Sequence, residues 1–253
     1  MQLSGFYCSL VPSLFFCYNS VIVNAPSTHS LPASLDSVST STSHWGSALH
    51  DARRGLILSA ARDEFIDKGL EGASMRSIAL RAGCTTGAIY PQFESKERMY
   101  AALLAQSLDR LDTAVLAAVQ AAGTASSSAD VQVRAGCQAF LSYYMAHPFE
   151  VNLGLYAFRG LKRQGVGKPT DRELNAALWQ VLDRIAQPLE QSHGGGAEAA
   201  QSLVALLFSQ MIGALVLQLA GRLDPLGTDP ARLLDLLLAT LAVTSANPDF
   251  PPT

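Results

Sequence analysis

The chain has 253 residues, of which 49% are hydrophobic and 15% are charged, and its formal net charge is −3. This length and apolar content allow one or two domains with a substantial core. The small negative charge excludes a protein that holds nucleic acid through a broad basic surface, so any such binding must rest on a few well-placed contacts.

The N-terminal residues differ in composition from the rest, because residues 1–48 lack Lys and Arg and are rich in Ser, Thr and Pro. The apolar stretch from Leu10 to Val23 is not typical of a signal peptide, since no basic residue precedes it and Pro12 interrupts it. It is also too short and too broken for a membrane span. We expect residues 1–47 to be a disordered leader or the product of a misassigned start.

The first predicted helix runs from about residue 48 to Lys68. Ile57, Ala61 and Phe65 share one of its faces, and Gly69 is expected to end it.

Two short helices are predicted next. The first has apolar residues at i, i+3, i+4 and i+7, namely Met75, Ile78, Ala79 and Ala82. Ser74 can cap it, and Gly83 can take the positive φ that closes it. Thr85 can cap the second helix, which is expected to reach Tyr90. Two short helices around a tight glycine-containing turn are typical of a helix-turn-helix, whose second helix enters the major groove of DNA.

The same residues resemble the start of the TetR family of transcriptional regulators. The shared pattern reads Ser74, Ile78-Ala79-Leu80-Arg81-Ala82-Gly83, Thr85-Thr86-Gly87-Ala88-Ile89-Tyr90, Phe93 and Ser95-Lys96-Glu97, within about fifty residues from Leu49 to Tyr100. The resemblance implies an all-α fold, with a three-helix DNA-binding domain at residues 48–95 and a helical ligand-binding and dimerisation domain at residues 96–247. Pro91 departs from the family, which often has Tyr or His there, and should stop the recognition helix.

The resemblance also implies a set of DNA-binding residues, in which small side chains admit the backbone and hydroxyl groups reach phosphates or base edges. Tyr90 and Lys96 would bind phosphate; the alternatives are core packing for Tyr90 and a free surface amine for Lys96. The expected DNA-binding residues are Ser74, Arg76, Thr85, Thr86, Gly87, Ala88, Tyr90 and Lys96.

The remaining sequence predicts further helices, at about residues 96–122, 130–147, 149–161, 170–192, 197–221 and 229–246. The last two are apolar on more than one face, which indicates burial or pairing. Residues 197–221 approach the length of a membrane span, but several Gln and Ser side chains interrupt them. The resemblance implies a four-helix bundle across a twofold axis, so we expect a homodimer through residues 197–221 and 229–246, with Leu215 and Leu237 in the interface.

Aromatic side chains and methionine in the middle helices suit a small-molecule pocket, although such stripes also form ordinary cores. The candidate ligand-binding residues are Phe140, Tyr144, His147, Tyr156, Trp179 and Met211. The four cysteines show no metal-binding spacing and favour a reduced, cytoplasmic protein, with a redox sensor at Cys84 or Cys137 as the alternative. No catalytic motif is present, and we expect no enzymatic activity, metal or cofactor.

These observations lead to one principal hypothesis and one alternative. The principal hypothesis is a ligand-responsive transcriptional regulator, a repressor that binds a double-stranded DNA operator as a homodimer and is released by an unknown small molecule. The alternative is an all-helical enzyme or carrier in which the helix-turn-helix pattern is incidental.

Overall fold

The computed structural model of the protein describes residues 39–155, 167–192 and 196–245, and in these ranges it is helical without a strand, as predicted. The chain divides into two units, Met1–Trp45 and Gly46–Thr253. Of the first unit only the helical residues 39–45 are described, so the expected leader lies almost wholly outside the described residues. The α-helices are α1 Ser39–Gly72, α2 Met75–Arg81, α3 Thr86–Ile89, α4 Lys96–Ala125, α5 Ala129–Ala146, α6 Pro148–Leu155, α7 Lys168–Ser192, α8 Gly196–Leu219 and α9 Pro230–Ser245.

The first helices pack into a small core, which we call the head core. Ile57, Ala61 and Phe65 of α1 bury the face that the periodicity predicts. Gly69 adopts φ 68° and interrupts the helical geometry of α1 where its end was expected, although α1 begins earlier than predicted. The head core also includes residues of α2, α3, the first turns of α4 and α6, which contributes the buried Leu153 and the partly buried Phe149.

A second and larger core, the body core, lies among α4, α5, α7, α8 and α9. α4, α5 and α7 approach closely where α5 carries Gly136: a Cβ there would lie 2.9 Å from Val119 Cγ2 of α4 and 3.1 Å from Ile185 Cγ1 of α7. Pro188 lies inside α7 without ending it. Pro148 does not merely end α5 but opens α6, a position where proline loses no helical hydrogen bond.

The short helix α6 contributes to both cores. Leu153 is buried in the head core, whereas Val151, two residues earlier, is buried in the body core. The Tyr100 hydroxyl of α4 donates a hydrogen bond to the Leu153 carbonyl, which fixes α6 against α4. The two cores are therefore joined by one helix as well as by the continuous length of α4.

The last two helices have two apolar faces, as predicted. One face of α8 lies in the body core through Ala200, Val204, Leu207, Met211 and Leu215. Leu206, Val216 and Leu217 of α8 and Leu236 of α9 are instead 40–65% exposed. Leu215 was expected in the dimer interface, but it is fully buried within its own chain, so that assignment was wrong. The exposed leucines are the side chains available to a partner.

Residues 197–219 of α8 also meet the length and composition of a membrane-crossing helix. That criterion is weak for a single helix, because the core helix of a soluble protein can meet it as well. Here α8 packs along α5, α7 and α9.

Candidate nucleic-acid interface

The helix-turn-helix is held by reciprocal hydrogen bonds at its start and a left-handed glycine at its turn. The Ser74 hydroxyl accepts from the Ser77 backbone N–H at 3.1 Å, and the Ser77 hydroxyl accepts from the Ser74 N–H at 3.0 Å. This is a capping box, and it confirms Ser74 as the cap of α2. Gly83 adopts φ 67°, which a residue with a Cβ rarely takes, and it confirms the predicted turn.

The recognition helix α3 is short and presents small polar residues. It spans Thr86–Ile89, with Thr85 at the N-cap position but without a side-chain capping bond. Ile89 is fully buried and anchors α3 in the head core, while Thr85 and Gly87 are exposed. A Cβ at Gly87 would meet no atom closer than 4.0 Å. α3 ends at Ile89, and the N–H groups of Gln92 and Phe93 both donate to the Ile89 carbonyl, which closes a turn around Pro91.

Three of the predicted DNA-binding side chains, on or next to α2 and α3, differ in their exposure to solvent. Tyr90 is 54% exposed, which excludes core packing within the chain. Arg76 is exposed on α2, and Ala88 is partly buried. The Tyr90 ring at the end of α3 and the Arg76 guanidinium on α2 are therefore both exposed to solvent.

Lys96 is not a free surface amine. Its ammonium donates to the carbonyl oxygens of Leu70 at 2.8 Å, Ala73 at 3.2 Å and Glu71 at 3.4 Å. Leu70 and Glu71 lie in the last residues of α1 and Ala73 lies between α1 and α2, so these carbonyls are at a helix end, where backbone acceptors lack an intrahelical partner. A phosphate would have to compete with all three acceptors, so the geometry favours a role in positioning α2 over a phosphate contact.

A buried carboxylate that sequence reasoning missed ties α2 to α1. Glu64 is 1% exposed; it accepts from Lys68 and, at 3.0 Å, from Arg81 Nε. Arg81 also donates to Asp67 at 2.6 Å. The hydrogen bond from Lys68, followed by that from Ser77, lowers the pKa of Glu64 in spite of burial. The available signal was the spacing of Glu64 and Lys68, four residues apart on one helix.

A second buried carboxylate joins α6 to α4 and α5. Glu150 accepts from Ser107 Oγ at 2.6 Å, from Arg110 at 2.7 Å and from the Tyr143 hydroxyl. Burial alone would raise the pKa of Glu150, but these three hydrogen bonds outweigh it and lower the pKa. The network fixes the start of α6, whose Leu153 is buried in the head core.

The candidate ligand-binding residues do not all lie together. Phe140, Tyr144 and Met211 are buried in the body core, with the rings of Phe140 and Tyr144 5.0 Å apart. Trp179 is 56% exposed on α7 and takes no part in this group. His147 is at the end of α5, where its ring stacks on Tyr143 at 4.6 Å. Tyr156 lies outside the described residues.

The cysteines in the described ranges behave differently. Cys137 is fully buried, and burial raises its pKa to about 12, so its thiol stays protonated and unreactive near neutral pH. Cys84 is partly buried in the turn before α3. Among the described residues, no group of three or more metal-ligating side chains occurs.

Comparison with known proteins gives two family matches that fall on these two parts of the fold. The profile for bacterial regulatory proteins of the tetR family matches residues 57–103, and that for the tetracyclin repressor-like C-terminal domain matches residues 133–241. The chain belongs to the TetR family. The match places the TetR-family head on α1 to α4, and the helix-turn-helix resemblance is confirmed.

Individual TetR-family relatives match part of the chain. The HTH-type transcriptional activator FasR of Mycolicibacterium smegmatis is 37% identical over 93 residues, which are 37% of this chain and 41% of that protein. The HTH-type transcriptional repressor KstR2 of the same species is 40% identical over 60 residues, 24% of this chain and 29% of that protein. The aligned part thus spans less than half the length of either relative.

Solved structures extend the likeness to the body. The transcriptional regulator FadR from Bacillus subtilis in complex with stearoyl-CoA superposes with a TM-score of 0.57 at 15% identity, covering 74% of this chain and 96% of that one. At this identity the match shows a shared fold alone.

Proposed function

We propose that this chain is a DNA-binding transcriptional regulator that acts in the cytoplasm as a homodimer. The observation that carries the proposal is the exposed polar end of α3, where Thr85 and Gly87 face outward on a helix anchored by the buried Ile89. A short helix of small residues lets the backbone approach the base edges, and threonine hydroxyls can bond to either bases or phosphates.

In this proposal the contacts divide into those that position the protein and those that read sequence. The exposed Tyr90, Arg76 and Ser74 hold phosphates, while Thr86 lies against base edges with Gly87 and Ala88 beside it. Residues 49–100 contain eight basic and seven acidic side chains. A net charge of +1 gives little non-specific affinity for DNA. The specific contacts, and the two DNA-binding heads of a dimer, must therefore supply most of the affinity.

The dimer would form through the outer faces of α8 and α9. Leu217 and Leu236 are 43% and 65% exposed there, and burying them against a second copy removes apolar surface from water. A twofold axis through this bundle would set two heads on successive major grooves, so the operator should contain two half-sites about 10 base pairs apart or a multiple of that distance.

We further propose that a small molecule controls the operator affinity and that the protein is a repressor released by this effector. The aromatic group around Phe140 and Tyr144 in the body core would receive an apolar effector. One structural neighbour was solved with stearoyl-CoA, which supports an acyl effector class. Because α6 is packed into both cores, an effector that shifts the body can alter the position of the head.

The test is a selection of bound sequences from random duplex DNA, followed by measurement of affinity for the enriched sequence. We expect an inverted repeat. The matched control is Gly87→Val, whose added methyl groups block the approach to DNA but meet no crowded atoms in the head. No enrichment with the natural sequence, or equal enrichment with Gly87→Val, would refute the proposed DNA interface. A reporter gene placed behind the selected operator tests whether the protein represses or activates. We expect transcription of the reporter to fall when the protein is present.

A further inference from the structure

The recognition helix α3 is too short to fix its own direction. It spans four residues, Thr86–Ile89, and helices shorter than about 12–15 residues are marginal in water on their own. Its orientation therefore depends on the contacts at its two ends. At the first end, the Cys84 N–H donates to the Ala79 carbonyl at 3.0 Å and ties the turn to α2. The direction of α3 is then set by the segment that follows Ile89.

That segment is a tight turn anchored by one buried ring. The N–H groups of Gln92 and Phe93 donate to the Ile89 carbonyl at 2.8 Å and 2.9 Å. Ile89 is fully buried, and the Phe93 ring is 3% exposed in the head core. Phe93 is therefore the second anchor of α3, and a group that fixes Phe93 also fixes the last end of α3.

Arg54 of α1 contacts this turn in two ways. Its guanidinium donates to the Gln92 carbonyl at 3.1 Å, in a part-buried position, and its central carbon lies 4.2 Å from the centre of the Phe93 ring. A cation over an aromatic face is attracted by the negative charge of that face, more strongly where water is partly excluded. A planar guanidinium can stack on a ring and still donate hydrogen bonds, so both contacts stabilise one arrangement of the turn.

The adjacent Arg53 has the same charge and a different environment. Its side chain is exposed on α1 and makes no hydrogen bond or ion pair in the described part of the chain. Arg54, in contrast, is engaged inside the head and is poorly placed to bind a phosphate. The two arginines are indistinguishable in the sequence, and only the contact with the turn after α3 separates them.

We propose that Arg54 is a positioning residue for sequence recognition, which orients α3 through Gln92 and Phe93 and does not itself bind DNA. This role rests on the proposed function. Without Arg54 the last end of α3 is less restrained, so Thr86 loses its alignment with base edges while phosphate contacts elsewhere on the head remain. Specific binding needs this alignment, and non-specific binding does not. Loss of Arg54 should therefore lower the ratio of specific to non-specific affinity.

The first experiment needs no DNA. Amide hydrogen exchange is measured by NMR on the full chain, for the natural sequence, Arg54→Met and Arg53→Met. Methionine keeps an unbranched apolar side chain and removes the guanidinium. In Arg54→Met, exchange at Gln92 and Phe93 should be about tenfold faster, as expected for the loss of one hydrogen bond from a charged donor. Exchange at Ile78 of α2 should be unchanged, and Arg53→Met should alter none of these rates.

The second experiment measures affinity for the operator selected by the natural chain and for a random duplex of equal length, over a series of salt concentrations. In Arg54→Met the operator affinity should fall at least about tenfold, as for the loss of a base contact. The non-specific affinity and its salt slope should stay unchanged. Arg54→Lys keeps a cation that can lie over Phe93 and should recover part of the ratio. Arg53→Met should leave the ratio unchanged, because a phosphate contact serves both duplexes alike.

Three results would overturn the positioning role of Arg54. Equal acceleration of exchange at Ile78 and Gln92 would show a general loss of head stability. A non-specific salt slope lower by about one unit per head in Arg54→Met would show a phosphate contact. An equal fall of the affinity ratio in Arg53→Met would show an effect of charge alone. Failure of the natural chain to select any operator would instead refute the proposed function, and the exchange rates would still confirm or overturn the contact of Arg54 with the turn.

Discussion

Replacing Lys96 with methionine tests whether this lysine positions α2 or holds DNA. Methionine keeps a long apolar side chain and removes the ammonium. The structure gives that ammonium two close carbonyl acceptors, Leu70 at 2.8 Å and Ala73 at 3.2 Å, and a longer one at 3.4 Å. Lys96→Met should therefore destabilise the link between α1 and α2.

The magnitude follows from the number and exposure of these bonds. A hydrogen bond from a charged donor contributes about 1.5–3 kcal/mol, and less where water can replace it. Two effective bonds at a half-buried site give a loss of about 2 kcal/mol in the free energy of unfolding. For a folded region of this size that corresponds to a fall in Tm of about 4–8 °C.

Urea unfolding followed by circular dichroism measures the loss, with Lys168→Met as the control because Lys168 is exposed at the start of α7. The salt dependence of DNA affinity is measured in parallel, well below the Tm. Loss of a phosphate contact would lower the slope of log affinity against log salt by about one unit. An unchanged stability together with such a lower slope would refute the positioning role of Lys96.

Glu150→Gln should lower stability at pH 7 by about 2 kcal/mol, because the amide cannot replace the carboxylate as an acceptor for three donors. The network lowers the folded-state pKa of Glu150 from its ordinary value, so its contribution is present above the unfolded-state pKa and is lost as the pH falls through the folded-state value; the difference in stability between the variant and the natural chain should vanish in acid. Leu217→Glu and Leu236→Glu should each give monomers in sedimentation velocity, whereas Leu226→Glu, exposed outside α8 and α9, should not; an intact dimer in both would place the interface elsewhere. Thr86→Ala should change the preferred base at one position of each half-site by about 1–3 kcal/mol in competition binding, and an unchanged preference would count against base contact.

The local features of the head could be predicted from the sequence because short-range physics determines them. Ser74 before a polar-apolar helix, Gly83 at a turn and Pro91 after a short helix each act within a few residues, and the structure shows each in the expected place. The helices of the body could be predicted for the same reason, because apolar periodicity is a short-range feature of the sequence.

What the sequence did not reveal depends on contacts between distant residues. The Lys96 ammonium bonds to carbonyls 23 to 26 positions away, and Glu150 is reached by Ser107 from 43 positions away. Leu215 and Leu217 are both leucines of α8, yet one is buried and the other exposed. Only the packing of neighbouring helices decides which of two apolar faces points inward.

The sharing of α4 and α6 between the two cores bears on how such proteins can recombine. The head core needs Met99, Tyr100 and Leu103 of α4 and Leu153 of α6, all beyond residue 95. In a chimaera joined just after the recognition helix, the head of one protein would pack against the α4 and α6 side chains of the other. Exchange of operator specificity between relatives would therefore succeed most easily by replacing the outward residues of α3 and leaving the buried framework intact.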